Sequence, residues 1–284
     1  MLTLTLVGVD EDATRAAAAR IDAPAQWLSP LAADLAVAGD VAVLRADADA
    51  ALAGLPVDFC IQATEDRRKA LFVADMDSTI IGCECLDELA DFAGLKAQIA
   101  AITERAMRGE IEFEGALRER VGKLKGLGLA ALQQTYDERV RLNPGAAVLV
   151  RTMGAHGTRC VLVSGGFTFF TSRVAKAAGF HADRGNRLVQ TETALTGEVA
   201  EPILGRQAKL AALSEEATAL GVGLSQTLAV GDGANDLDMI RAAGLGVAYR
   251  AKPLVAAQAA ARVDHVDLTA LLYFQGYRAE EFAH

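Results

Sequence analysis

Three short, almost entirely apolar runs, each followed at once by small polar or acidic residues, constrain the fold of this chain more than any other feature. They are residues 70–74 (ALFVA), 160–163 (CVLV) and 227–230 (TLAV). A strand reads as a continuous apolar run when helices cover both of its faces, as in parallel sheets. Helical patterns separate the runs, so we predict an α/β protein with a Rossmann-like parallel sheet.

Polar residues follow each of the three runs. Residues 75–79 read DMDST, residues 164–166 read SGG and residues 231–236 read GDGAND. Ligands of an open α/β sheet bind outside the carboxyl ends of its strands. The three segments are therefore predicted to line one crevice.

The acidic residues of these segments favour a divalent cation. Asp75 and Asp77 leave the strand on the same side, and like charges so close resist joint ionisation unless a cation balances them. Asp232 and Asp236 would supply further oxygen ligands of the kind that Mg²⁺ prefers. The alternative is that these acids are helix N-caps and solvated loop residues.

With Mg²⁺ and a phosphate in the crevice, a carboxylate can attack phosphorus and form an acyl-phosphate. Asp75 has the position of that nucleophile, and Asp77 the position of a group that serves as acid and then as base. Ser164 and the backbone N–H of Gly165 could hold phosphoryl oxygens, although most Ser-Gly-Gly triplets are simple turns.

Phosphoryl transfer also needs positive charge beside the metal, and Lys209 is the candidate. It lies in a helical stretch, residues 205–220, between the second and third strand ends. The alternative is a solvated surface lysine.

We predict that the chain divides into a small N-terminal α+β domain, residues 1–66, and a larger domain, residues 67–284. In the first we expect strands at 2–9, 40–44 and 57–61 and a helix at 13–21, followed by a polar linker. In the second, the helical patterns of 83–143 predict a cap inserted after the first strand, and a hairpin is expected at 184–199.

Composition excludes several function classes. A net charge of −9 argues against a broad nucleic-acid surface, and no apolar run reaches the roughly 18 residues of a membrane helix. The start lacks signal-peptide features, and the four cysteines suit reduced packing residues, so a cytoplasmic location is expected. The expected partner is a small-molecule substrate. A homodimer is compatible with the sequence, which leaves the oligomeric state open.

These motifs resemble those of the haloacid dehalogenase superfamily, whose members carry Asp-x-Asp-x-Thr after the first strand, Ser or Thr after the second, a Lys, and acids after the third. When Glu84 is considered together with these motifs, residues 70–275 resemble the phosphoserine phosphatases of that superfamily. The resemblance implies that Mg²⁺ is held by the Asp75 side chain, the Asp77 backbone carbonyl and Asp232, with Asp236 in support.

The resemblance further implies hydrolysis of O-phospho-L-serine to L-serine and phosphate through an aspartyl-phosphate, the last step of serine biosynthesis. The residues it assigns to the substrate are Ser164, Gly165, Lys209, Asn235, Glu84 and Arg120. Glu84 would pair with the substrate ammonium and Arg120 with its carboxylate.

From the residues alone, Glu84 is also compatible with an ordinary exposed acid and Arg120 with a charged helix face, and Arg118 lies close enough to be confused with Arg120. The resemblance also places Phe113 and Met107 at apolar positions of the pocket, where an aromatic residue can equally be core.

Alternative functions stay open at this point. The phosphoryl group could pass to an acceptor alcohol such as homoserine, or the substrate could be another small phosphomonoester. A different alternative is a phospho-accepting signalling domain, in which the phosphoenzyme must be long-lived. Asp77 argues against this alternative, because a built-in acid and base makes the phosphoenzyme short-lived. The N-terminal domain is ACT-like by resemblance, and both amino-acid sensing and a passive dimerisation or packing role are open.

Overall fold

A computed structural model describes residues 1–107 and 110–284, with side chains described for 1–106 and 110–284. The strands of its main sheet are β5 Leu71–Ala74, β6 Arg159–Phe167, β7 Ala182–Asn186, β10 Thr227–Gly231, β11 Leu245–Tyr249 and β12 Ala261–Val263. This sheet is parallel and has the strand order β12-β11-β10-β5-β6-β7.

The three apolar runs form the centre of this sheet. β5 lies between β6 and β10, and all four of its residues are fully buried. Helices pack on both faces, namely α7 Ala146–Ala155, α8 Thr168–Ala178, α9 Arg206–Leu220, α10 Leu237–Ala242, α11 Pro253–Ala256 and α12 Ala270–Phe274. The predicted α/β fold class is confirmed.

The segment after β5 is helical. Its helices are α3 Cys85–Phe92, α4 Lys96–Met107, α5 Phe113–Lys123 and α6 Leu129–Arg139. Between β5 and α3 the chain makes an irregular turn in which Ser78 has a φ of 55°. Within the region predicted as a hairpin, β8 Leu188–Gln190 pairs with β9 Leu195–Val199, and β9 packs against α5. The hairpin is shorter than predicted, because residues 184–186 belong to β7 of the parallel sheet.

The N-terminal part is an antiparallel sheet of order β2-β3-β1-β4 with two helices, which confirms the predicted α+β arrangement. Its elements are β1 Leu2–Gly8, α1 Glu11–Ala19, β2 Ala25–Ser29, β3 Ala32–Val37, α2 Val41–Leu52 and β4 Val57–Ala63. The division at residue 66 stays a prediction, as do the bounds of the cap.

One expectation for this part was wrong. Residues 40–44 begin a helix, because the Asp40 side chain accepts hydrogen bonds from the N–H groups of Ala42 and Val43. Val41 and Val43 are exposed on that helix, so their alternation imitated a strand without marking a buried face. The pairing strands β2 and β3 were not predicted.

The N-terminal sheet is buried on both faces. Leu4 and Leu6 pack under α1 and α2, whereas Val7 and Cys60 join the core of the parallel domain. Gln62 of β4 also donates to the carbonyl of Phe274 at 2.5 Å. The two sheets therefore share one continuous interior.

The carboxylate of Asp58 strengthens this junction. It is 3% exposed and accepts backbone hydrogen bonds of 3.0 Å from Asp264, His265 and Val266. Burial raises its pKa, although these hydrogen bonds oppose the shift.

No helix in the described part of the chain is long and apolar enough to cross a membrane.

Candidate active site

The carboxyl ends of β5, β6 and β10 open into one cavity of about 420 Å³ beneath the cap. The predicted site residues that line it are Asp75, Asp77, Glu84, Arg120, Ser164, Gly165, Asp232 and Asn235. Lys209 lies below the floor, in contact with Asp75. The structure thus brings the whole predicted set together.

Asp75 is buried at the end of β5, and its two carboxylate oxygens differ. Oδ1 accepts hydrogen bonds from the N–H of Met76 at 2.8 Å and from Nζ of Lys209 at 2.7 Å. Oδ2 has no hydrogen-bond partner among the described residues. One oxygen is therefore held in place while the other is available for attack.

Lys209 bridges two acids. Its side chain is 1% exposed, and Nζ lies 2.7 Å from Oδ1 of Asp75 and 2.5 Å from Oδ1 of Asp236. Burial alone would lower the pKa of Lys209, but the carboxylates of Asp236 and Asp75 raise it above its usual value. The structure contradicts the alternative of a surface lysine.

Carboxylate oxygens of Asp75, Asp232 and Asp236 all lie within 4.8 Å of one another. Oδ2 of Asp236 accepts the Gly233 N–H at 3.0 Å while its Oδ1 binds Lys209, so Asp236 suits a supporting position. One ammonium among these carboxylates leaves negative charge that a divalent cation would balance. This oxygen-rich set fits Mg²⁺.

The pKa values reflect the same crowding. Burial, Asp236 and Glu84 raise the pKa of Asp232 to about 6. Burial and Asp236 also raise the pKa of Asp75, against the opposing effect of Lys209. Burial and close like charges thus disfavour ionisation of Asp75 and Asp232 until a cation is bound.

Asp77 faces the cavity from the turn after β5. Its Oδ1 accepts the N–H of Cys85 at 3.0 Å, and its Oδ2 accepts the hydroxyl of Ser164 at a long 3.5 Å. Burial and the neighbouring Glu84 raise the pKa of Asp77 to about 7. The carboxyl can therefore carry a proton at neutral pH, as a general acid must.

Residues 164–166 belong to the last part of β6, but they form a bulged loop beside Asp77, because the pairing of β6 with β7 shifts register between Val163 and Phe167. Oγ of Ser164 accepts the N–H of Gly166 at 2.9 Å. A Cβ at Gly166 would come within 2.9 Å of Oδ2 of Asp77 and 3.0 Å of Oγ of Ser164, so any larger residue would displace these side chains. The chain needs this glycine for the close approach of loop and acid.

Asn186, which the sequence analysis missed, holds this loop from behind. Its side chain is 2% exposed, and its amide donates to the carbonyl of Gly165 at 2.8 Å. The same side chain exchanges hydrogen bonds with the backbone of Leu204, shortly before α9. Asn186 therefore links the loop to the helix that carries Lys209.

The cap contributes charges of opposite sign. Glu84 accepts the hydroxyl of Ser78 at 2.7 Å, and the half-buried Arg120 donates from Nε to the carbonyl of Ala116. Arg118 points away and pairs with Glu201. The structure therefore places Arg120, and not Arg118, in the cavity.

Phe113 lines the cavity at 40% exposure and would meet a Cβ added at Gly165 at 3.4 Å. The side chain of Met107 lies outside the described part. Asp87 and Lys252 also line the cavity but were missed, because neither stands in a motif that follows an apolar run.

A family model described as haloacid dehalogenase-like hydrolase matches residues 72–241. A protein of Polaromonas sp. named phosphoserine phosphatase is 47% identical over 207 residues, which cover 71% of this chain and 88% of that protein. This agrees with the resemblance predicted from the motifs.

Two solved structures with phosphoserine phosphatase in their names are also similar to this chain. A probable phosphoserine phosphatase from Vibrio cholerae, in unliganded form, has a TM-score of 0.83 at 33% identity and covers 98% of this chain and 88% of that one. A phospho-aspartyl intermediate analogue of phosphoserine phosphatase has a TM-score of 0.67 at 34% identity and covers 73% and 99%, respectively. The first match includes the N-terminal sheet.

Proposed function

This chain belongs to the haloacid dehalogenase-like hydrolases, and on that premise we propose that it hydrolyses O-phospho-L-serine to L-serine and phosphate. The reaction would use Mg²⁺, pass through an aspartyl-phosphate on Asp75 and complete serine biosynthesis. The observation that carries the proposal is one cavity with the free oxygen of Asp75 at its floor and with Glu84 and Arg120 on its cap side.

In the first half-reaction, Oδ2 of Asp75 attacks phosphorus and the bond from phosphorus to the serine oxygen breaks. Lys209 holds Oδ1 of the same carboxylate, which keeps the attacking oxygen aimed at the cavity. Asp77 donates its proton to the departing serine oxygen. Its raised pKa supports this role.

In the second half-reaction, Asp77, now ionised, takes a proton from a water molecule that attacks the phosphorus of the aspartyl-phosphate. The bond between phosphorus and Oδ2 of Asp75 breaks, and phosphate leaves. Because Asp77 returns to its protonated state, the cycle closes without another proton donor. A built-in base of this kind also makes the phosphoenzyme short-lived, which disfavours a signalling role.

Mg²⁺ would be held by the side chains of Asp75 and Asp232 and the backbone carbonyl of Asp77, with Asp236 behind them. When bound, it supplies positive charge for the phosphoryl oxygens. The hydroxyl of Ser164, the N–H of Gly165 and Lys209 would contribute from the protein, since preorganised donors stabilise charge that develops in the transition state.

The cap side of the cavity, opposite the floor that carries Asp75, would recognise the amino-acid part of the substrate. A zwitterionic serine moiety presents an ammonium and a carboxylate, which match the charges of Glu84 and Arg120. Asn235, which is half-buried on the floor side, would contact the substrate next to the phosphate.

The four free cysteines fit the cytoplasm as the proposed location, and a homodimer stays a prediction.

The test is phosphate release from L-phosphoserine, phosphothreonine and p-nitrophenyl phosphate, with Mg²⁺ or with EDTA. Asp75→Asn is the inactive reference. Metal-dependent turnover that strongly favours L-phosphoserine is expected. Equal activity on all substrates would contradict Glu84 and Arg120 as recognition residues, and release only in the presence of an acceptor such as homoserine would indicate a transferase.

A further inference from the structure

A second cavity, of about 440 Å³, lies on the other side of Phe167 from the active site. Phe167 ends β6 and lines both cavities. The second cavity is bounded by α6 of the cap, by the start of α8 and by β8. Its apolar walls are Leu132, Phe167, Phe169, Leu188 and Val189.

Arg173 lines this cavity in a fixed position. Its guanidinium stacks on the ring of Phe169 at 3.6 Å, and Nη1 donates to the carbonyl of the same residue at 2.8 Å. Nε donates to Oε1 of Gln133 in α6 at 3.3 Å. The remaining N–H groups of the guanidinium have no partner among the described residues. A cation held this firmly loses little entropy when it binds an anion.

Arg187 lines the cavity from the chain just before β8. It is exposed, and its side chain has no hydrogen bond or ion pair within the described part of the chain. The residues that line this cavity include no carboxylate, although the net charge of the chain is −9. In contrast, Asp75, Asp77 and Glu84 line the active-site cavity.

We propose that this cavity is a second binding site, for a small organic anion with an apolar body. Arg173 and Arg187 would bind its carboxylate, sulfonate or phosphate group through charge-assisted hydrogen bonds. The walls formed by Leu132 and Leu188 would cover its apolar part. This inference goes beyond the proposed function and does not depend on it.

An occupant would contact the cap and the sheet domain at once. Gln133, one residue after Leu132, already receives a hydrogen bond from Arg173 across that boundary. An anion on Arg173 would add contacts to both sides of the same junction. The site is therefore placed to hold the cap against the phosphate-binding loop.

The experiment is a fluorescence titration with 8-anilinonaphthalene-1-sulfonate, an aromatic sulfonate, on the full chain. The variants are Arg187→Ala, Arg187→Glu and, as a matched control on the outer part of α8, Lys176→Ala. Arg187 has no partner to lose, so these variants are expected to fold. Each titration is repeated in an Arg120→Ala background, which removes the arginine that lines the active-site cavity.

We expect the Kd to rise about tenfold in Arg187→Ala, binding to be lost in Arg187→Glu, and Lys176→Ala to match the unmodified chain. The Arg120→Ala background should leave each Kd unchanged. Equal binding by Arg187→Glu and the unmodified chain would overturn the proposal. Loss of probe binding in Arg120→Ala would also overturn it, because the probe would then lie in the active site.

Discussion

The ammonium of Lys209 lies 2.7 Å from Oδ1 of Asp75, and its side chain is only 1% exposed. It also contacts Asp236, so one buried cation compensates two buried carboxylates. Removing one member of such a cluster leaves charge that water cannot reach.

Lys209→Met is therefore expected to lower the free energy of unfolding by about 3 to 5 kcal/mol. Mg²⁺ should restore part of this loss, because it would compensate the same acids. Urea denaturation with and without Mg²⁺ measures both effects, with exposed Lys176→Met as the control. A loss no larger than that of the control would show that Lys209 does not stabilise the cluster.

Asp232→Asn should abolish stabilisation by Mg²⁺. At a Mg²⁺ concentration ten times its Kd, the unmodified chain should gain about 1.4 kcal/mol. Without metal the variant should be at least as stable as the unmodified chain, since repulsion by Asp236 contributes to the raised pKa of Asp232. Thermal unfolding at matched ionic strength measures this, with Asp238→Asn on α10 as control. An unchanged Mg²⁺ effect in Asp232→Asn would remove Asp232 from the metal site.

Arg120→Ala should lower kcat/KM for L-phosphoserine by about 10- to 100-fold, the value of a lost charge-assisted hydrogen bond. The loss on p-nitrophenyl phosphate should be within about threefold, because that substrate has no amino-acid carboxylate. Arg118→Ala is the matched control, since Arg118 pairs with Glu201. Equal losses on both substrates would contradict a role of Arg120 in specificity.

Ser78 combines an unusual backbone conformation with a side-chain hydrogen bond to Glu84. Its φ of 55° is unusual for a residue with a side chain, and its hydroxyl donates to Glu84. Ser78→Ala and Ser78→Gly should raise KM for L-phosphoserine about equally, by about three- to tenfold. Ser78→Gly should be the more stable variant by about 1 kcal/mol, since glycine adopts this φ without strain.

Steady-state kinetics and urea denaturation check both parts of the Ser78 prediction. In a Glu84→Gln background, the effect of Ser78→Ala on KM should shrink, because the two residues act through one hydrogen bond. An undiminished effect in that background would mean that Ser78 does not position Glu84.

Asp58→Asn should destabilise the whole chain by about 2 kcal/mol. An amide cannot accept hydrogen bonds on both terminal atoms, so part of the backbone at residues 264–266 would lose its partner. Thermal unfolding measures the loss, and exposed Asp47→Asn is the control. Unfolding of the N-terminal part alone, with the rest unaffected, would contradict the shared interior.

The centre of the fold was predictable because β5, β6 and β10 are buried on both faces, and such strands show a strong signal in a single sequence. The acids at the ends of these strands were predictable too, because they directly follow the apolar runs. The burial of Lys209 was not predictable, since it depends on carboxylates from distant segments. The expected need for a cation between the second and third strand ends identified Lys209, and the family pattern agreed.

Other parts had no local signal. Asn186 acts through backbone groups of Gly165 and Leu204, and hydrogen bonds between distant segments leave no periodicity in a sequence. Val41 and Val43 gave a false strand signal, because exposed apolar side chains on a helix can alternate as they do on a strand. Glu84 and Arg120 could be singled out only through the family resemblance.

The burial of the N-terminal sheet on both faces has a consequence for synthesis. Gln62 and its partner Phe274 are 212 residues apart in the chain. At about 5 to 20 residues per second, a ribosome makes them roughly 10 to 40 s apart. For that time the inner face of the first sheet lacks its contacts with β12 and α12. A chaperone that shields nascent chains should therefore improve the yield of this protein more than that of its isolated parallel domain.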